Sequence, residues 1–296
     1  MIDGTILKKA IISGAERIRS NTEEVDSLNI FPVPDGDTGT NLSLTMNGCT
    51  EAIAEISEPH AGNMADKIAA ALFRSARGNS GVIFSLMFKG FAERVRALEK
   101  IDSHALAEAL EAGCNEAYSS IEKPTEGTIL TVIRLASSKA KAAAESGKSA
   151  EETFAAALCG AKASLKSTPN LLPTLKKHGV VDAGGQGLVY IMEGMLNAEN
   201  RIASPSAKPQ AKKSETDEIR FTYCTEFLIN NAETNDIKSL RKFFSDIGDC
   251  TAVAEHSGII KVHLHTNSPD KALKKGIEVG DLTDIKIDNM RHQASV

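Results

Sequence analysis

The chain has 296 residues, with 34 basic and 39 acidic side chains for a net charge of −5, and is 42% hydrophobic and 25% charged. That length allows one large domain or two smaller ones. It lets the chain bury about three-quarters of its unfolded surface without a disulfide or metal staple. A mild negative charge leaves no electrostatic footprint for nucleic acid. Cys49, Cys114, Cys159, Cys224 and Cys250 are odd in number, stand far apart and form no CxxC pair, which fits a reducing cytoplasm rather than a secreted disulfide framework. The first residues lack the apolar core of a signal peptide, and no run approaches the ~20 apolar residues of a transmembrane segment. The expectation is a cytoplasmic, helix-rich protein with no nucleic-acid partner.

Helical periodicity dominates from residue 5 to about 198. Ile6, Ala10, Ile11, Gly14 and Ile18 form one stripe; Met64, Ile68, Ala71 and Leu72 a second; Val82, Ile83, Leu86 and Gly90 a third. Stretches 105–121, 128–144, 151–165 and 187–198 repeat the pattern. Residues 199–218 are rich in Ser, Pro, Lys and Ala without apolar periodicity and read as a linker. The period then falls to two over 219–230, returns to helical over 234–247, and gives short strands at 250–255 and 258–265 around the turn Ser257-Gly258. A helix through Ala272, Leu273 and Ile277 and a last strand over 282–288 complete a βαββαβ order, that of a ferredoxin-like unit. The chain thus divides into a helical domain (1–198), a linker (199–218) and a small α+β domain (219–296).

The segment 28–41, LNIFPVPDGDTGTN, carries the first chemical signal. Pro32 and Pro34 keep it out of helix. In an extended backbone residues two apart point the same way, so Asp35 and Asp37 aim at one point. Two carboxylates ~5 Å apart repel by roughly 3 kcal/mol at an effective dielectric near 20, a cost that a hard cation such as Mg²⁺ removes. Thr38, Thr40 and Asn41 add hydroxyl and amide groups to the same rim. The same residues also read as an exposed turn with a helix cap at Thr40 or Asn41.

Three further loops have the composition of a phosphate cradle. In Ser75–Ile83, Gly78 breaks one helix and Asn79 or Ser80 caps the next, with Gly81 following; open N–H groups at a helix start bind anions. Val181–Gly187 places Asp182 and Ala183 before Gly184 and Gly185, where backbone approaches a ligand closely. Pro124–Thr128 opens a helix with the Thr128 hydroxyl. Each also reads as an ordinary interhelical corner. There is no P-loop, no dinucleotide fingerprint and no protein-kinase catalytic motif.

Taken together, LNIFPVPDGDTGTN (28–41), ARGNSGVI (76–83), KPTEGTILTV (123–132), STPNLLPTL (167–175) and GVVDAGGQGL (179–188) resemble the bacterial fatty acid kinase family. The N-terminal domain of that family is similar to the ADP-binding subunit of dihydroxyacetone kinase. YCTEFLI (223–229), KVHLHT (261–266) and DIKIDNM (284–290) resemble its middle domain. The resemblance implies a multidomain chain: an all-α eight-helix barrel holding ATP or ADP and two Mg²⁺ at one end, then the small α+β domain. Asp35 and Asp37 match the metal-binding carboxylates, and Asn29 sits near the place of a third. Ser80 and its neighbours match the phosphate-contacting helix start, and Asp182 to Gly185 the loop closing over the nucleotide. In that family ATP phosphorylates the carboxylate of a fatty acid presented by a separate lipid-binding carrier protein, giving acyl phosphate for phospholipid synthesis. Family precedent also suggests a homodimer. Arg77 is our candidate for stabilising the transferring phosphoryl group; a surface salt bridge or helix cap is its alternative.

Full-length members continue into a further domain thought to engage the carrier, whereas this chain stops at Val296. It is therefore expected to be a fragment, a truncated product, or a member whose last domain is a separate chain. Two other readings stand beside the fatty acid kinase: a dihydroxyacetone-kinase-like phosphotransfer subunit, and a regulatory protein that binds ADP-Mg without turnover.

A second metal signal lies in the small domain. Ile260, Val262 and Leu264 face one way, and His263 and His265 share the other face. Cys224 lies on the face opposite Phe221, Tyr223 and Phe227, and the first and third strands pair at the centre of a ferredoxin-like sheet. One thiolate and two imidazoles suit Zn²⁺ with an open fourth position, which Glu226 on the same face can supply. The alternative is two solvent-facing histidines and a buried cysteine without metal. The middle domain of the resembling family binds zinc through a Cys and a His-x-His pair, which favours the metal. His60, His104, His178, His256 and His292 receive no role.

Overall fold

The computed structural model describes residues 1–198, 220–232 and 237–293, so the predicted linker falls outside the described residues. The chain forms two compact units. One comprises Met1–Phe31, Gly36–Tyr118 and Thr125–Ser214, and the other Pro32–Asp35, Ser119–Pro124 and Glu215–Val296.

The first unit is helical: α1 (Gly4–Arg19), α2 (Thr22–Ser27), α3 (Thr38–Ile53), α4 (Ala61–Ser75), α5 (Gly78–Val95), α6 (Ser103–Ser120), α7 (Ile129–Glu145), α8 (Ala150–Leu171), α9 (Pro173–His178) and α10 (Ala183–Leu196). Two of these, α2 and α9, are single six-residue pieces, leaving eight long helices. They close a ring. α1 packs on α3, α3 on α4, α4 on α5, α7 on α8, α8 on α10, and α10 returns to α1. The ring continues through α6. A side chain on Gly90 of α5 would collide with the Ala112 carbonyl, and Lys141 of α7 pairs with Glu111 of α6 at 3.2 Å.

One continuous core runs through this ring, with Ile11, Ile18, Leu42, Met46, Ile68, Leu72 and Ile191 fully enclosed. Toward the start of α1 and the end of α10 the ring holds an apolar cavity of about 260 Å³, lined among others by Ile6, Phe84, Phe88, Ile133, Phe154 and Met192.

Helix ends follow local chemistry. Ser149 and Glu152 form a reciprocal capping box at α8, and Asp3 caps α1 by accepting from Ile6 N at 2.9 Å. The periodicity reading missed α3. Its inward face carries Thr38, Asn41, Ser43 and Thr45, all buried, which dilutes the apolar stripe that marks a helix. It also ended α8 too early: the helix runs through Pro169 to Leu171. Among the described residues, no helix is long and apolar enough to cross a membrane.

The second unit contains β1 (Tyr223–Asn230), α11 (Ile237–Ile247), β2 (Gly248–His256), β3 (Ile259–Thr266), α12 (Pro269–Ile277), β4 (Asp281–Asn289) and the four-residue α13 (Met290–Gln293). The sheet is antiparallel with order β2-β3-β1-β4, the ferredoxin-like arrangement with the first and third strands central. Its hairpin turns at Ser257 (φ 51°) and Gly258 (φ 77°), two left-handed residues as a tight hairpin turn requires. Phe227, Ile229, Val262 and Leu264 on one sheet face pack with Leu240, Phe244 and Ala272 of the helices.

Candidate functional site

Four helices begin at one end of the first unit: α3 after Asp37, α5 after Arg77, α7 after Thr128 and α10 after Asp182. Close approaches join these starts. Gly78 has φ +58°, and a Cβ there would lie 2.5 Å from Asn41 Nδ2, so the α4–α5 corner rests on the first turn of α3. A Cβ on Gly184 would lie 3.0 Å from Ser80 Oγ and 3.3 Å from Ile129 Cβ, so the start of α10 touches the starts of α5 and α7. Arg77 N donates to Thr45 Oγ1 at 2.9 Å, fixing the corner from below.

Buried carboxylates organise this end. Asp182 Oδ2 accepts from Gly185 N at 2.7 Å, and the same carboxyl accepts from the backbone of Ile129. One side chain therefore caps both α10 and α7, while Asp182 N donates to Thr168 Oγ1 of α8 at 3.1 Å. Burial pushes the Asp182 carboxyl up to about 7, against the two N–H bonds that favour its charge. Asp26 does the equivalent for α3. Its Oδ1 accepts from Gly39 N at 2.6 Å and Thr40 N at 3.0 Å, and its Oδ2 from Thr40 Oγ1 at 2.8 Å. Burial also raises the Asp26 carboxyl above its usual range, opposed by these bonds.

Two expectations about caps are corrected. α3 begins at Thr38, so neither Thr40 nor Asn41 is its cap; Asp37 stands at the cap position without capping through its side chain, because Asp26 has taken those N–H groups. α5 begins at Gly78 after Arg77, not after Asn79 or Ser80, and starts with no side-chain cap. The loop geometry differs too. Gly36 has φ +71° and Asp37 lies at φ −122°, ψ 5°, so the backbone is not the plain extended run from which the parallel aim of Asp35 and Asp37 was argued. Both aspartates are half-buried.

The other predicted residues fall around these starts. Asn29 Oδ1 accepts from Thr38 Oγ1 at 2.9 Å, with both side chains buried. Thr128 Oγ1 donates to Thr125 O at 2.7 Å. Asn79, Ser80 and Arg77 are half-buried, whereas Gly81, Ala183, Gly184 and Gly185 are buried. Sequence reasoning passed over Asp26, Thr45, Thr168 and Glu126. Glu126 accepts from Thr131 Oγ1 at 2.6 Å and Arg134 Nη2 at 2.9 Å, and Thr131 in turn accepts from Gly127 N at 2.7 Å. Only its TEG context hinted at a role in shaping the start of α7. Helix starts concentrate partial positive charge; with α3, α7 and α10 answered by carboxylates, anion-binding capacity centres on α5.

A second cluster lies on the face of the small sheet away from its helices. Cys224 of β1 stands opposite His265 of β3, and Glu226 opposite His263. On the other flank Asp249 of β2 stands opposite His265, while Lys286 and Asp288 of β4 lie beside Glu226 and Cys224. Ligand atoms of Cys224, His263 and His265 come within 4.8 Å of one another, as do those of Asp249, Cys250 and His265. The histidines are 1% and 4% exposed, which removes the solvent-facing alternative. Burial, and then the neighbouring His263, push His265 down to about 3, leaving it neutral and able to ligate near pH 7.

Comparison with known proteins places these features. The family model described as the DAK2 domain matches residues 32–197, and the one described as the FakA-like middle domain of fatty acid kinases matches residues 220–296. The chain belongs to this kinase-type phosphotransfer family, a DAK2 domain joined to a FakA-like middle domain. An uncharacterized protein of Staphylococcus saprophyticus is 39% identical, and one of Staphylococcus aureus strain USA300 is 37% identical; each match covers 99% of this chain and 56% of the relative. The chain thus spans a little over half the length of these curated relatives. Among solved structures, the dihydroxyacetone kinase from C. freundii in complex with AMP-PNP and Mg²⁺ gives a TM-score of 0.47 at 18% identity, over 66% of this chain and 33% of that one.

Proposed function

We propose that the helical unit binds ATP or ADP with Mg²⁺ and transfers the γ-phosphoryl group to the carboxylate of a fatty acid presented by a separate carrier protein, giving an acyl phosphate. The observation that carries this reading is the convergence of four helix starts, two of them glycine corners, beside Asp35-Gly36-Asp37. The donor set suits Mg²⁺: both carboxylates are hard oxygen donors, Asp37 is not spent on capping α3, and a Cβ on Gly36 would meet nothing within 4 Å. Bound there, Mg²⁺ would screen the phosphate charge. Asp35 and Asp37 would hold it, with Asn29 and Thr38 keeping each other and the loop in place.

The start of α5 would receive phosphate oxygens on the backbone at Asn79 and Ser80. Gly184 and Gly185 would let the start of α10 approach the nucleotide, and Thr128 would border the same space. Arg77 would answer the charge on the transferring group. A carboxylate acceptor is already ionised at neutral pH, so no general base is needed, and positioning with charge neutralisation suffices.

The test supplies the chain with ATP, Mg²⁺ and acyl-loaded carrier in the presence of hydroxylamine. Acyl hydroxamate, formed in step with ADP, is the expected product. Turnover with dihydroxyacetone in place of the loaded carrier would move the acceptor to the hydroxyl class.

For the small domain we propose zinc at Cys224, His263 and His265. A thiolate with two neutral imidazoles is a borderline-soft donor set that this ion favours. His263 Nε2 is buried without a hydrogen-bond partner among the described residues, as an atom awaiting a ligand would be.

A further inference from the structure

We propose that Glu226 and Asp249 are positioning residues of this zinc centre, each holding the Nδ1 edge of one histidine so that both Nε2 atoms turn to the metal, and that neither carboxylate is a ligand. The inference rests on the zinc reading above and adds how the two imidazoles are oriented.

Glu226 Oε1 lies 2.8 Å from His263 Nδ1, and the two side chains are 2% and 1% exposed. A carboxylate at that distance accepts a proton held on Nδ1. The tautomer is thereby fixed with the lone pair on Nε2, the atom that has no partner among the described residues. A buried acceptor left unpaired costs about 1–3 kcal/mol, and a metal ion bound there removes the penalty.

His265 has a matching arrangement at longer range. Its Nδ1 stands 3.8 Å from Asp249 Oδ1, and both atoms are buried with no hydrogen-bond partner among the described residues. A movement of about 1 Å would make the bond. The backbone explains how Asp249 comes to face the ring. The β2–β3 register breaks between Asp249 and Ala252, and Cys250 takes φ 50°, a left-handed conformation costly for a residue with a Cβ. A bulge of this kind re-aims a neighbouring side chain.

Metal-bound histidines almost always donate their second N–H to a carboxylate, carbonyl or water, which orients the ring and raises its basicity. Here the two acceptors come from opposite flanks of β3: Glu226 from β1 and Asp249 from β2. Three protein ligands would then leave the fourth position open to an exchangeable donor.

The test loads the purified full chain with Zn²⁺, and separately with Co²⁺ as a visible probe, and measures stoichiometry and affinity against a chelating dye. Wild-type chain should bind one equivalent, and Cys224→Ser or His263→Ala should lose it; if these variants bind like the wild type, the zinc reading itself falls. Glu226→Gln and Asp249→Asn keep side-chain size. Each should still bind one equivalent, 10–100-fold more weakly, with the thiolate-to-Co²⁺ charge-transfer band and the visible band positions unchanged. Affinities equal to the wild type would overturn the positioning role. A loss of stoichiometry or a shifted Co²⁺ spectrum in Glu226→Gln would show a carboxylate ligand and overturn it equally.

Discussion

Gly78→Ala and Gly36→Ala, compared with each other, probe whether the α4–α5 corner is seated on α3. Both glycines have left-handed backbones, φ +58° and +71°, so each substitution carries the left-handed penalty of about 1–2 kcal/mol. They differ in surroundings. At Gly36 the new methyl meets nothing within 4 Å, whereas at Gly78 it meets Asn41 Nδ2 at 2.5 Å and Cγ at 2.9 Å. Asn41 is buried on the first turn of α3, so it cannot swing into solvent, and overpacking of this kind costs about 1–3 kcal/mol more. Urea unfolding of the full chain should therefore show Gly78→Ala losing about 2–5 kcal/mol and Gly36→Ala losing only the first term. Equal losses would refute the seating of this corner on α3, and with it the convergence on which the nucleotide reading depends.

Asp182→Asn should change the pH dependence of stability. Because the carboxyl is raised from 3.8 to about 7 in the fold, the folded state keeps a proton that the unfolded chain releases. Its stabilising contribution is full below about pH 4 and is lost as pH rises through 7, by at most about 4 kcal/mol. The variant should lack that decline, and parallel curves between pH 4 and 8 would clear Asp182 of it. Asp26→Ala leaves Gly39 N and Thr40 N without their carboxylate and should cost about 1–3 kcal/mol in urea unfolding; a neutral result would mean that water replaces it fully. Asp37→Ala removes a carboxylate that caps nothing through its side chain, so thermal unfolding of the nucleotide-free chain should shift little while Mg²⁺-dependent nucleotide affinity disappears. The reverse pattern would make Asp37 a structural residue.

The division into a helical part and a βαββαβ part was legible because each rests on a local period that one strand or helix reveals by itself. The Cys224, His263 and His265 cluster was legible for the same reason: a period of two puts both histidines on one face, and the strand order brings Cys224 opposite. Asp249 was not, since only a register break in β2 turns it toward His265. At the helical end, glycine loops announced themselves, but the residues that join them did not. Asp26 answers N–H groups 13 and 14 positions away, and Asp182 joins two helix starts far apart in sequence. Such partnerships follow from packing, which no local pattern encodes. α3 escaped notice because its buried side is half hydroxyl and amide.

The central claim is nucleotide binding at the converging helix starts, and calorimetric titration of ATP or ADP into the full chain, with and without Mg²⁺, tests it most directly. Saturable binding that requires Mg²⁺ and vanishes in Asp37→Ala is the predicted result. No heat at about millimolar nucleotide, or binding indifferent to Mg²⁺, would contradict it.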